Sequence, residues 1–213
     1  MTEPLPVPRG RHAPPLKVRL EVQRQRLFDA ATAVFVRLGY AEASAEAISR
    51  EAGMSKATFY EHFANKEECM MAVVEYAMGE TLTRMLDAAR RAGDDWSARH
   101  RAGVRAFLEL VESAPDTARV ALVEVVGAGP RALERRDRAL EVMAQSMYED
   151  ARRGARESGE PSFATVDDAY ACVGAIFELT SRQLRLGRPP RMIDLEPIVE
   201  RLVLGIVSQS RTL

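Results

Sequence analysis

The most constraining feature of this sequence is a pair of short helical stretches hinged on one glycine. They lie within GYAEASAEAISREAGMSKATFYEHFANKEE, from Gly39 to Glu68. Ser44 is placed to cap a helix from Ala45 to Ala52, because its hydroxyl can accept a backbone N–H that the first turn leaves unpaired. Gly53 permits the positive φ of a tight turn, and Ser55 can cap a second helix from Lys56 to Phe63. Ile48 and Ala52 lie four apart on the first helix, and Phe59 and Phe63 four apart on the second. Each helix therefore has an apolar stripe to bury. Met54 is expected to fill the space between them, and the small Ser49 to let them approach. Two helices joined by a short glycine-containing turn make a helix-turn-helix.

The rest of the chain also has a helical period. Leu20, Leu27, Ala31, Val34, Phe35 and Leu38 recur at spacings of three, four and seven, which predicts a first helix from about Lys17 to Leu38, stopped by Gly39. Asn65 can cap a long helix, with Glu68 reaching back, and the spacing carries that helix to about Gly93. Further helices are expected over 95–113, 115–126 and 130–157, with Pro115 and Pro130 in first turns. Thr165 and Asp168 cap another that stops at Gly187, and a last one opens near Asp194. No stretch alternates as a strand does. The fold class expected is all-α, with about nine helices.

The division expected is a disordered Pro-rich arm over 1–15, a helix-turn-helix module over 16–66 and a larger helical domain over 67–213. Pro4, Pro6, Pro8, Pro14 and Pro15 keep the arm from forming a helix. No apolar run is long enough to span a bilayer, and the N-terminal residues do not read as a secretory leader. With two cysteines, Cys69 and Cys172, a disulfide framework is not expected, and a cytoplasmic location is. No His, Cys or carboxylate cluster has metal-ligand spacing, so neither a metal nor a cofactor is expected. Gly127-Ala128-Gly129-Pro130 resembles a phosphate loop only faintly, since no strand precedes it, and an enzyme is not expected.

Charge is distributed unevenly. Between Arg9 and Lys66 ten Lys or Arg face six Asp or Glu, so that stretch carries +4 within a chain of net charge −1. A basic head suggests a polyanionic partner. The second short helix supplies the matching chemistry. Lys56, Ala57, Thr58, Tyr60, Glu61 and His62 should face outward from Phe59 and Phe63. Lys56 can contact a guanine edge and the Thr58 methyl a thymine methyl, while Ala57 is small enough for close groove approach. Ser44, Ser55, Tyr60, His62 and Lys66 are candidates for phosphate contacts. Glu61 is expected to point away. In the arm, Arg9 and Arg11 are placed for the minor groove, although an arm with no such role is the simpler reading.

This segment, together with LFDAATAVFVRLGY before it, closely resembles the DNA-binding domain of the TetR family of bacterial repressors. The resemblance rests on GMSKATFYEHFANKEE: turn glycine, Ser-Lys, aromatic, Tyr, His-Phe and Lys-Glu-Glu. It covers about 50 residues. Two positions depart from the family pattern. Ala43 stands where a phosphate-contacting Thr is frequent, and Ala57 where Gly is usual.

The resemblance implies a ligand pocket in the later helices and a dimer seam from the last two. Met85, Phe107, Val111, Val123, Met143, Met147 and Phe177 are the pocket candidates, although an apolar stripe at helical spacing is more often plain core. Val173, Phe177, Leu184, Ile198, Leu202 and Ile206 are the seam candidates, on helices rich in small or apolar residues. The function expected is a homodimeric, ligand-responsive regulator on double-stranded DNA. Its two recognition helices would sit about 34 Å apart on a pseudo-palindromic operator, and a small hydrophobic molecule would release the repressor. The alternative is a DNA-binding protein of the same fold controlled by a protein partner or by no ligand.

Overall fold

The computed structural model describes residues 15–159 and 161–209. The expectations for the Pro-rich arm, including Arg9 and Arg11, lie outside the described residues. Among those described there are nine α-helices and no strand. α1 (Leu16–Glu42) is broken at Gly39, whose φ of 75° and ψ of 163° end the regular helix where the apolar period ends. α2 (Ala45–Glu51) and α3 (Lys56–His62) follow, then the long α4 (Lys66–Arg91), α5 (Trp96–Ser113) and α6 (Pro115–Leu122). A 3-10 turn (Glu124–Gly127) leads to α7 (Pro130–Ser158), α8 (Val166–Leu186), a second 3-10 turn (Met192–Leu195) and α9 (Glu196–Gln209). The stretch expected as one helix over 115–126 is thus a helix and a tighter turn.

The capping residues act largely as their types dictate. Ser44, Ser55, Asn65, Asp95 and Thr165 each accept the backbone N–H three residues on. Thr165 and Asp168 form a reciprocal capping box. Glu68 differs from expectation. Its carboxylate binds Arg131 of α7 at 2.8 Å, because a cation from a neighbouring helix is within reach.

α4 is the spine. At 26 residues it runs about 39 Å, from the helix-turn-helix to the far end of the body. Cys69, Met70, Val73 and Val74 on its first turns pack into one core with Leu27, Val34 and Phe35 of α1. Further along, Gly103 brings α5 close: a Cβ there would lie 3.6 Å from the Met85 carbonyl. α9 turns Val199, Val203 and Val207 inward and is tied to α5 by Arg105–Glu196 at 2.7 Å and Arg101–Glu200 at 2.5 Å. The result is a three-helix head and a helical body that share α4.

Candidate nucleic-acid interface and ligand cavity

In the head, burial sorts the residues of α3 by helical face. Phe59 is fully buried and Phe63 nearly so, packed at 5.7 Å between ring centroids. Arg24 of α1 lies over the Phe63 ring at 5.1 Å. On the opposite side Lys56, Ala57 and Glu61 are exposed, and Tyr60 is 51% exposed. Lys56 Nζ sits 6.0 Å from the Tyr60 ring centre. Thr58 is half-buried, its hydroxyl 2.9 Å from that of Ser55. Ser44 and Ser55 hydroxyls accept from Ala47 and Thr58 N–H, each at 3.1 Å. That leaves the two preceding N–H groups of each helix as the donors a phosphate would meet.

The turn between the helices is held from α1. Gly53 has φ 63°, Met54 N–H donates to Ser49 O at 2.9 Å, and Arg26 donates to the Ala52 carbonyl at 3.1 Å. Arg37 pairs with Glu51 at 2.7 Å. In the sequence these arginines register only as charge; their role as struts comes from the fold. No local signal marks it, because the partners are 26 and 14 residues away.

Two of the proposed phosphate contacts are corrected. Lys66 Nζ donates to three carbonyls, Tyr40 O at 2.8 Å, Ala43 O at 2.9 Å and Ala41 O at 3.0 Å, and lies 4.5 Å from the Tyr40 ring centre. An ammonium has three N–H donors, so Lys66 is fully committed to the chain end of α1. His62 is half-buried, and its Nε2 is covered by protein with no hydrogen-bond partner. It turns toward the head's interior rather than outward. Ala43 is buried.

In the body, a cavity of about 380 Å³ lies among α4, α5, α7 and α8. Met85, Phe107, Met143, Met147 and Phe177, five of the pocket candidates, are among the residues that line it. Val111 lines a second cavity of about 290 Å³ instead, and Val123 lines neither, because it caps the end of α6. One part of the larger cavity's wall is polar: Arg90, Arg99, His100, Glu149, Asp150 and Arg153. Arg99 pairs with Asp150 at 3.2 Å, and its Nη2 is buried without a partner. His100 stacks on Trp96 at 5.5 Å, and burial pushes its pKa down to about 4, against the pull of Asp150 and Glu200. It is therefore a neutral group at pH 7. Burial also raises the thiols, Cys69 to about 12 and Cys172 to about 11, which leaves both unreactive.

Two seam candidates, Val173 and Phe177, are corrected as well. Val173 and Phe177 are buried and line the larger cavity, and Leu184 is half-buried against the core. Ile198, Leu202 and Ile206, four residues apart, lie on one face of α9; Ile198 is 40% exposed, and Leu202 and Ile206 are half-buried, Ile206 against the core as Leu184 is. On α8 Val166, Tyr170 and Ala171 are exposed near its start and Glu178, Arg182, Arg185 and Leu186 nearer its end.

Known proteins bear on both regions. Residues 27–73 match the family described as bacterial regulatory proteins, tetR family. The chain is 36% identical over 90 residues to the HTH-type transcriptional activator FasR of Mycolicibacterium smegmatis, covering 42% of this chain and 41% of that protein. It is 43% identical over 54 residues to the HTH-type transcriptional regulator SrpR of Pseudomonas putida, covering 25% of each. These matches span less than half the length of the curated relatives. The fold extends further. The transcriptional regulator FadR from Bacillus subtilis, solved with stearoyl-CoA, superposes with a TM-score of 0.75 at 18% identity, covering 85% of this chain and 98% of that one. A putative regulator from Pseudomonas aeruginosa PAO1 gives 0.75 at 21% identity, over 93% and 99%. The sequence of that family's helix-turn-helix therefore lies in the head, over residues 27–73, and the chain as a whole shares the all-helical fold of these solved regulators.

Proposed function

We propose that the chain is a homodimeric repressor that leaves a pseudo-palindromic operator when a small, largely apolar molecule fills the larger cavity. The observation that carries this reading is the two-faced α3. Phe59 and Phe63 anchor it from within, while Lys56, Ala57 and Tyr60 stand free on the side away from the core. Lys56 and Ala57 face bases, and Tyr60 and the N-termini of α2 and α3 hold phosphates. The head runs to Lys66 and the ligand-binding and dimerisation body from Glu67.

The cavity supports ligand control. It is of a size that takes a drug-sized molecule, about 300–1,000 Å³, and pairs an apolar lining with an arginine-bearing wall. The same combination suits a molecule with a long apolar tail and an anionic head. FadR of Bacillus subtilis, which shares the fold, was solved with stearoyl-CoA. A dimer would use Ile198, Leu202 and Ile206 of α9 with the accessible face of α8, where Tyr170 and Ala171 stand. A second reading, activation in place of repression, has the name of the FasR relative in its favour and uses the same head.

The test is binding to the chain's own upstream DNA by gel shift, with a reporter to give the sign of regulation. Replacing Lys56 and Tyr60 together by Ala should abolish preference over random duplex while leaving the dimer and its melting temperature unchanged. Retained preference in that variant refutes the assignment of α3 as the reader.

A further inference from the structure

The end of α8 lies beside the head. Its Leu184 carbonyl accepts from Arg119 of α6 at 3.2 Å, and Arg119 lies 3.7 Å from Glu124. The Glu124 carboxylate in turn comes within 3.6 Å of where a Cβ on Gly39, near the end of α1, would stand. The start of α8 is at the opposite end of the body, where Phe163 meets Trp96 edge to face at 6.2 Å. α8 therefore runs toward the head, and the loop to α9 turns on the head side of the body. This turn is basic. Arg182, Arg185, Arg188 and Arg191 follow one another at intervals of three with no acid between them, in a chain whose residues from Glu67 on are net acidic. All four are exposed. Arg185 pairs with Glu178 at 2.8 Å and Arg191 with Asp194 at 2.6 Å. Arg182 and Arg188 pair with no acid among the described residues. The loop is also held in shape: Pro189 and Pro190 fix two φ angles, and Gln183 donates to the Pro189 carbonyl at 3.3 Å.

We propose that the end of α8 and the loop after it form a second DNA contact, in which Arg182 and Arg188 grip backbone phosphates of the duplex between the two half-sites. The inference rests on the dimeric reading above. The loop joins α8 to α9, the two helices assigned to the seam, so two copies of it flank the dyad on the side that carries the heads. Recognition helices about 34 Å apart occupy successive major grooves on one face of the DNA. The duplex between them turns its minor groove toward the dyad, and that groove, being the narrower, brings the phosphates of the two strands close together. Its negative potential draws guanidinium groups, whose planar fork of donors suits phosphate oxygens. A phosphate contact carries no sequence information, so the loop adds affinity while α3 keeps the selection. A loop already ordered before binding loses little entropy on contact. Exposed arginines commonly serve solubility alone. These differ in standing on the head side of the body, in two of them lacking an acid, and in the prolines that hold the turn.

The experiment measures the affinity of the full chain for its upstream DNA and for random duplex as a function of salt, with hydroxyl-radical footprinting of the upstream fragment. A variant carrying Arg182→Gln and Arg188→Gln is compared with the wild type, its dimer checked by sedimentation and its folding by melting. At about 0.1 M salt the variant should bind the upstream DNA on the order of tenfold more weakly. Its plot of log affinity against log salt should be shallower by about two to four units, because a dimer gives up as many as four phosphate contacts at about 0.9 each. Protection between the half-sites should vanish while protection over them persists. Base-pair changes within either half-site should weaken both proteins by the same factor. An equal salt slope with the central protection intact overturns the loop contact and leaves the reading of α3 in place. If the double variant dissociates into monomers, Arg188→Gln alone, outside both helices, decides: an unchanged slope overturns the contact. If the wild type prefers its upstream DNA no more than random duplex, the reading of α3 fails instead. The loop is then judged on random duplex, where an equal slope for the two proteins overturns it.

Discussion

The head and the body use buried aromatic residues in opposite ways. In the head, Phe59 and Phe63 pack against each other between short helices, and neither lines the two body cavities. In the body, Phe107 and Phe177 are as deeply buried, yet they stack with a cavity on either side. A close-packed site transmits no choice, because any displacement costs many contacts at once. A site flanked by voids can take two arrangements. The contrast is that of an aromatic pair packed within the head and one flanked by voids in the body.

The largest expected effect tests that contrast directly. Phe59→Ala should cost about 3–5 kcal/mol of unfolding free energy, as filled aromatic core positions do. Phe107→Ala should fall at the bottom of that range, since part of its surroundings is already empty. Denaturant titration of both variants decides the matter; equal losses break the comparison.

The next effect is acid sensitivity confined to the body. His100 has its pKa lowered from 6.5 to about 4 by burial. The unfolded chain therefore binds a proton that the folded chain refuses. Stability contributed by the neutral imidazole is fully present above pH 6.5, falls as the pH drops, and is gone by about pH 4. The loss should total about 3 kcal/mol across that window. His100→Phe, which can keep the stack on Trp96, should flatten this part of the pH–stability curve. An unchanged slope sinks the assignment.

The smallest effect sharpens the head. Lys66→Met should cost about 1–3 kcal/mol, because three carbonyls at the end of α1 lose their donor together. Its effect on DNA affinity should follow that stability loss and show no separate change in salt dependence. A salt slope reduced by about one unit would restore Lys66 as a phosphate contact.

Legibility divided along the same line. The helix-turn-helix was readable because every signal for it is local: Ser44 and Ser55 bind N–H groups three residues away, Gly53 takes its φ alone, and Phe59 and Phe63 are one helical turn apart. The capping boundaries of α5 and α8 follow for the same reason. Lys66 and His62 were misread because a basic residue near a DNA-reading helix looks the same in sequence whether it points out or in. Val173 and Phe177 were misread because a helix apolar over much of its circumference does not say which side meets its own core.

By itself, then, the sequence determined the all-α class, the element order, the helix-turn-helix and the exposed Lys56 and Tyr60 of its second helix. Those follow from hydrogen bonds and periodicities within one or two turns of chain. The tertiary structure alone decided that Lys66 secures the end of α1, that Val123 lines no cavity, and that Phe107 and Phe177 stand between two chambers. Each of those depends on groups from distant segments meeting in space, or on a volume no side chain fills, and a void leaves no trace in the pattern of the residues around it.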